Sequence, residues 1–302
     1  MNYGDLVSIV VVSYNSENFI IETLNSIKNQ EYKKLELIIS DDCSTDNTVV
    51  ISNQWIENNK DRFVDCKIIE STYNTGLSCN LERGGEHANG EWIKYIAADD
   101  LLLPNCINDY VHFVVSNSNV LWVCSKAFAF TGEYNEHNFV DRYNNRFKGD
   151  YYKKFELSAE GEHQLMLKSN FICSPTVFTN RMFYLSNMSI LKKYPYCDDY
   201  PMFLLLLSKG HKIYYLDVET VGYRMHESSL SHSSKFLFNE KFVNSWILVQ
   251  QDMCFPFITK EECKKRMAFY KSTQIISRLG WNHRNVFCRI IFKLLRCLYR
   301  YI

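Results

Sequence analysis

The sequence predicts an α/β protein built on a mostly parallel sheet, with helices filling its C-terminal end. Three observations carry this. Over the first hundred residues, continuous or period-2 apolar runs alternate with helical stretches, the βαβ rhythm of a parallel sheet. Val7, Ile9, Val10, Val11 and Val12 form a nearly unbroken apolar run, which suits a strand buried on both faces. With 302 residues, 46% of them hydrophobic, the chain can also bury one continuous core.

Taken in order, strands are expected at 6–12, 35–40, 66–71 and 92–97, with helices at 17–30, 46–59 and 77–89 between them. Pro104 opens a further helix, and 120–126 reads as a fifth strand. From 128 to 168 the periodicity is lost in a stretch rich in Asn, Tyr, Glu and Lys, which reads as a loop-rich insertion. Order returns at Phe171, with a helix at 200–209, strands at 212–217 and 221–225, and helices over most of 236–302.

Thirty-four Lys and Arg balance thirty-four Asp and Glu, so the chain lacks the basic excess of a nucleic-acid binder. The balance is uneven along the chain: residues 254–302 carry a net +9 and the remainder −9. Eleven cysteines stand singly, with no CxxC pair and no signal-peptide pattern ahead of them, as expected of reduced thiols in a cytoplasmic protein. No apolar run approaches the roughly 18 to 20 residues that would span a bilayer.

Polar residues gather where the strands end: Ser13-Tyr14-Asn15, Asp41-Asp42, Asn74-Thr75-Gly76 and Asp99-Asp100. Four strand ends thus point at one crevice on the carboxyl edge of the sheet, where open α/β folds bind ligands. No GxGxxG follows the first strand and no GxxxxGK[ST] occurs, so the expected ligand is a nucleotide held in another way. Each cluster also has a purely local explanation: 41–46 could form a turn that bonds its own backbone, and Asp99-Asp100 could cap the helix near Pro104.

These residues carry a resemblance. Val7-Ser-Ile-Val-Val-Val-Ser-Tyr-Asn15, Leu37-Ile-Ile-Ser-Asp-Asp-Cys-Ser-Thr-Asp46, Asn74-Thr-Gly76, Gly90-Glu-Trp-Ile93 and Ala98-Asp-Asp100 with Pro104 resemble the family 2 glycosyltransferases of the GT-A fold. A second block, Asp198-Asp-Tyr200, Lys209-Gly210, Tyr223-Arg-Met-His226 and Ser229-Leu-Ser231, is similar to the acceptor-side half of that family. The resemblance implies a GT-A, Rossmann-like nucleotide-sugar domain over 1–235, with a donor half at 1–126 and an acceptor half at 127–235, followed by a helical extension at 236–302.

It further implies transfer of a sugar, with inversion, from a nucleotide-diphosphate donor, by family habit a UDP-sugar, to a hydroxyl of a glycan or lipid-linked acceptor. Such chemistry needs a divalent cation, Mn or Mg, for the departing diphosphate and a carboxylate for the acceptor's proton. By the resemblance, Asp99, Asp100 and His226 are the metal candidates. Asp199 is the base, with Asp198 capping or orienting beside it. Ser13, Tyr14, Asp41, Asp42, Asn74, Gly76, Arg83 and Arg224 would meet the donor. The family's Asp-x-Asp-Asp would place an acid at Ala97, and its Ala-Arg-Asn is here Asn80-Leu81-Glu82, with Arg83 close enough to restore the lost charge. A non-catalytic sugar-nucleotide or glycan-binding relative is the competing reading.

At the C-terminal end Arg289, Lys293, Arg296 and Arg300 recur on one helical face, while Phe287, Ile290, Ile291, Leu294, Leu295, Leu298 and Ile302 occupy the rest. This basic amphipathic pattern fits a terminal helix docked on the core with a solvated basic face. It also fits peripheral attachment to an anionic membrane, the inner face of the cytoplasmic membrane in the setting the resemblance implies.

Overall fold

The computed structural model describes residues 6–140, 147–226 and 236–301; Ser229, Leu230, Ser231, Ile302 and the side chain of Arg300 lie outside this description. Eight strands form one sheet: β1 Val7–Ser13, β2 Leu35–Asp41, β3 Asp65–Glu70, β4 Trp92–Ala97, β5 Leu101–Leu102, β6 Trp122–Phe130, β7 Phe178–Asn180 and β8 Tyr214–Arg224. Their order is β3-β2-β1-β4-β7-β6-β8-β5. The first four pair in parallel, as the alternation of strands and helices predicts, and β6 runs parallel to β8. Every residue of β1 and β2 is buried, which explains their lack of a polar face. Buried polar residues among them are partnered: the Glu36 carboxylate accepts from Ser8 Oγ at 2.5 Å, Asn89 N at 2.8 Å and Asn89 Nδ2 at 2.7 Å, and Asp41 accepts from Ser13 Oγ at 2.7 Å.

Three features depart from the expected element list. The short antiparallel β7 sits between β4 and β6, where Phe178 stacks on Trp92 and Tyr110 at centroid distances of 5.2 and 4.9 Å. Buried Lys94 anchors the chain leading into it by donating to the carbonyls of Pro175 and Val177. Three residues are too few for a periodic signal. Next, the strands expected at 212–217 and 221–225 are one continuous β8, whose pairing with β6 shifts register twice around Lys126. Residues 218–220, between the two expected strands, lie at this irregularity, where Glu219 pairs with Lys126. Lastly, the supposed loop-rich insertion contains a helix, Ala159–Lys168, whose N-cap Ser158 accepts from the Gly161 N–H.

On one face of the sheet, helix Leu77–Glu86 approaches closely because of Gly84 and Gly85. A Cβ at Gly84 would meet Val10 Cγ1 at 2.4 Å, and one at Gly85 would meet Tyr95 Oη at 2.2 Å. This approach sets the position of the loop that starts the helix. The C-terminal region forms helices Glu240–Val249, Lys260–Arg278 and Val286–Tyr301. Arg266, which also donates to Gln250 within this region, ties it to the rest by donating to the Leu167 carbonyl, and Tyr194 Oη donates to Asp252 at 2.9 Å.

Candidate active site

The four polar clusters all lie at the carboxyl ends of β1 to β4 or in the loops that follow, as their positions in the sequence require. Asn15 leaves β1 in the left-handed region at φ 49°, a conformation Asn tolerates better than most residues. Its Oδ1 accepts from Thr45 N at 2.8 Å, locking the first strand-end turn to the second. Ser13 faces inward and donates to Asp41 at 2.7 Å, whereas Tyr14 is 49% exposed above it. Asp41 also accepts from the amide and hydroxyl of Ser44, both at 2.7 Å. The local turn weighed as an alternative is therefore present.

Asp42 is buried and organises the next loop. It accepts from the Thr75 amide at 3.0 Å, the Thr75 hydroxyl at 2.5 Å and the Gly76 amide at 2.7 Å. Gly76 has φ 86°, which favours glycine at this position. Arg83, nearly two turns into helix Leu77–Glu86, reaches back to Asp42 at 3.3 Å and to Thr75 Oγ1 at 2.6 Å. The structure thus brings Asp42, Thr75, Gly76 and Arg83 together, with Asn74 exposed at the loop's edge.

The end of β4 meets the end of β8. Asp99 and His226 are both partly exposed, and the imidazole Nε2 lies 2.9 Å from Asp99 Oδ2. Asp100 points the other way: it is 1% exposed, and its Oδ1 accepts the Arg224 amide at 2.9 Å. Burial and the adjacent Asp99 charge push its pKa well above the usual carboxylate range. Asp100 is therefore not part of the Asp99–His226 pair, which corrects the three-residue metal set. Among the described residues no three His, Cys, Asp or Glu side chains converge as a metal cage.

Arg224 is also placed differently from its expected role. It is 3% exposed, and its guanidinium donates to the Asp99 carbonyl at 2.8 Å, to the Gly132 carbonyl and to Glu22 at 2.7 Å. Phe19 and Phe130 flank it, with ring centroids 5.2 and 4.7 Å away. Arg224 accordingly fixes the backbone of Asp99 instead of facing the crevice. Thr23 supports the same loop through the carbonyls of Ala98 and Asp100, and β5 pins its far side to β8. Glu22, Thr23, Phe19 and Gly132 had no local signal, because their roles arise only from contacts across the fold.

The second acidic pair opens helix Tyr200–Ser208. Here Asp199 is the N-cap: it accepts the Tyr200 amide at 2.6 Å and the Asn170 side-chain amide at 3.0 Å. The capping role expected of Asp198 thus falls to Asp199. Burial and the adjacent Asp199 charge push Asp198 up to about 7. Helix Leu77–Glu86 links this region to the crevice, since Glu82 pairs with Lys192 at 3.0 Å while Arg83 faces Asp42.

The sequence profile described as Glycosyl transferase family 2 matches residues 8–185, more than half of the chain. The chain belongs to this family. It is similar to the UDP-Glc:alpha-D-GlcNAc-diphosphoundecaprenol beta-1,3-glucosyltransferase WfaP of Escherichia coli, at 31% identity over 77% of this chain and 82% of that protein. Among solved structures, S. aureus TarS 1–349 in complex with UDP shares the fold with a TM-score of 0.59 and 18% identity, covering 90% of this chain and 72% of that one. The mannosyltransferase PcManGT from Pyrobaculum calidifontis, in complex with GDP-Man and Mn²⁺, matches with a TM-score of 0.53 and 17% identity over 99% of this chain and 70% of that one. The protein is a glycosyltransferase, and the GT-A fold expected from its strand-end residues is the one it has.

Proposed function

We propose that this family 2 glycosyltransferase moves a sugar, with inversion, from a UDP-sugar to a hydroxyl of a lipid-linked or growing surface glycan at the inner face of the cytoplasmic membrane. The observation that carries the reading is the Asp99–His226 contact of 2.9 Å, partly open to solvent where β4 and β8 end. The names of the relatives agree with it: WfaP is a UDP-Glc transferase acting on a diphosphoundecaprenol-linked sugar, and TarS is solved with UDP.

The residues present fit a divalent cation, since an accessible carboxylate beside an imidazole suits Mn²⁺ or Mg²⁺ completed by phosphate oxygens and water. Asp99 and His226 would hold it, and it would offset the charge that develops on the leaving diphosphate. PcManGT was solved with Mn²⁺. The exposed Tyr14 and the loop of Asn74 and Gly76, shaped by Asp41, Asp42 and Arg83, would receive the nucleotide. Arg224 keeps Asp99 in place from behind.

The acceptor's proton goes to the Asp198–Asp199 pair. Asp199, held at the helix start by the Tyr200 amide and the Asn170 side chain, is the member that accepts the proton. Asp198, at about 7, holds the pair's remaining proton under mildly acidic conditions. The test is UDP release from UDP-Glc and UDP-GlcNAc, with a diphosphoundecaprenol-linked sugar as acceptor, in Mn²⁺ and after chelation. Turnover that requires both acceptor and metal is expected. Donor binding without turnover under every condition would favour the non-catalytic relative instead.

A further inference from the structure

The last helix, Val286–Tyr301, has three distinct faces. One is docked: Cys288 is buried, and Phe292 meets Phe238 and Phe269 with centroids 5.5 and 5.9 Å apart. A second is apolar yet open. Phe287, Ile290, Leu294 and Leu298 are each more than half exposed, and their three- and four-residue spacing aligns them in one ridge along the helix. The third is basic, with Arg289 and Lys293 exposed beside that ridge and Arg296 over the Phe269 and Phe292 rings.

The docked-helix alternative, with its solvated basic face, therefore explains two faces and leaves the open apolar ridge without a role. Near the start of the ridge lie further apolar groups: Trp281 meets Phe287 at 5.5 Å, and Phe236 is 45% exposed. Among the described residues the ion pairs of this region, Lys265–Glu261 and Arg266–Glu262, lie on the preceding helix and leave Arg289, Lys293 and Arg296 outside them. Two copies meeting ridge to ridge would bring their basic rows together, which electrostatic repulsion disfavours. An anionic lipid surface would satisfy both rows, taking the apolar side chains at the acyl boundary and the cations among the headgroups.

We propose that the exposed face of Val286–Tyr301 lies in the interfacial plane of an anionic bilayer and attaches the enzyme to it. The charge separation of the chain, +9 over 254–302 against −9 elsewhere, orients this end toward the lipid. The proposal goes beyond the reaction above and stands whether the acceptor is lipid-linked or soluble.

The test is co-sedimentation of the full chain with vesicles of equal phosphatidylglycerol and phosphatidylcholine, and with vesicles of phosphatidylcholine alone. Binding to the first only is expected, and it should weaken with added salt because exposed charges are screened. Arg289→Gln and Lys293→Gln should each lower affinity about fivefold at low salt. Leu294→Glu should abolish binding at any salt, with Leu298→Ser as a milder second variant. Because both leucines are largely exposed, the variants should keep the parent's melt and its UDP-sugar turnover on a soluble acceptor analogue. Equal binding to both vesicle types, or undiminished binding by Leu294→Glu and Leu298→Ser, would overturn the proposal. So would sedimentation velocity showing a dimer that Leu294→Glu dissociates, with no vesicle binding by either protein.

Discussion

The two aspartate pairs, Asp99-Asp100 and Asp198-Asp199, are the same dipeptide in two settings. In each, the second carboxylate faces a backbone amide: Asp100 accepts from Arg224 and Asp199 from Tyr200. The first members differ. Asp99 stands partly exposed beside the His226 imidazole, whereas Asp198 is pushed up to about 7 by burial and its neighbour's charge. A carboxylate beside an imidazole is suited to a cation, and one beside a second carboxylate is suited to retaining a proton. Identical residues thus stand in different surroundings because of what the fold places next to them.

The most damaging change expected is Asp199→Asn, which should lower turnover by roughly 10²- to 10⁴-fold with little effect on donor KM. Steady-state kinetics decide this. If Asp198→Asn is the more damaging of the two, the base is Asp198 and the division within the second pair is reversed.

Within the first pair, Asp99→Asn should weaken donor binding roughly 10- to 100-fold, the worth of a charge-assisted contact, and remove the response to Mn²⁺. Asp100→Ala should instead lower stability by about 1–3 kcal/mol by stripping the Arg224 amide of its acceptor, while Asp100→Asn, which keeps an oxygen there, should be nearly neutral. Donor titrations and denaturant melts of the three variants separate the roles. Equal loss of donor binding in Asp99→Asn and Asp100→Asn would erase the contrast.

A smaller effect is a pH signature of the second pair. Turnover should rise with pH through about 7 as Asp198 ionises and its charge makes Asp199 a stronger base. Asp198→Asn should move that ascending limb toward the ordinary carboxylate range. A limb unchanged by the substitution would assign it to another group.

Glu36 provides the smallest effect and the opposite case. Burial opposes its ionisation, but hydrogen bonds from Ser8 and Asn89, with Lys67 nearby, outweigh that and hold it below its ordinary 4.5. Its contribution to stability is therefore present above about 4.5 and lost as the pH falls through its lower folded value. Glu36→Gln should flatten this acid dependence in urea melts taken at pH 3 to 6. An unchanged slope would show that Glu36 is not what links acid to unfolding.

Much of the N-terminal half of the sheet was legible along the chain. The mostly apolar, fully buried β1 and β2, the alternation that orders the parallel strands, and the polar residues that end them are local patterns, and local patterns survive translation into structure because backbone periodicity is local. Arg83 as the replacement charge near the donor loop was also readable, being about two helical turns from Gly76. Less legible were β7, only three residues long, and the unity of β8, where a register shift interrupts the alternation.

By itself, the sequence determined which residue types stand at the strand ends, the order of the early strands and the basic, amphipathic character of the last helix. Only the tertiary structure decided that Asp100 turns inward while Asp99 stays open, that Asp199 and not Asp198 caps its helix, and that Arg224 lies behind the site. It alone decided, too, which face of the last helix is docked. The physical reason is the same in each case. The direction of a side chain and the cost of its charge depend on partners distant in sequence, such as Arg224 for Asp100, Asn170 for Asp199 and Phe269 for Phe292, which no local spacing encodes.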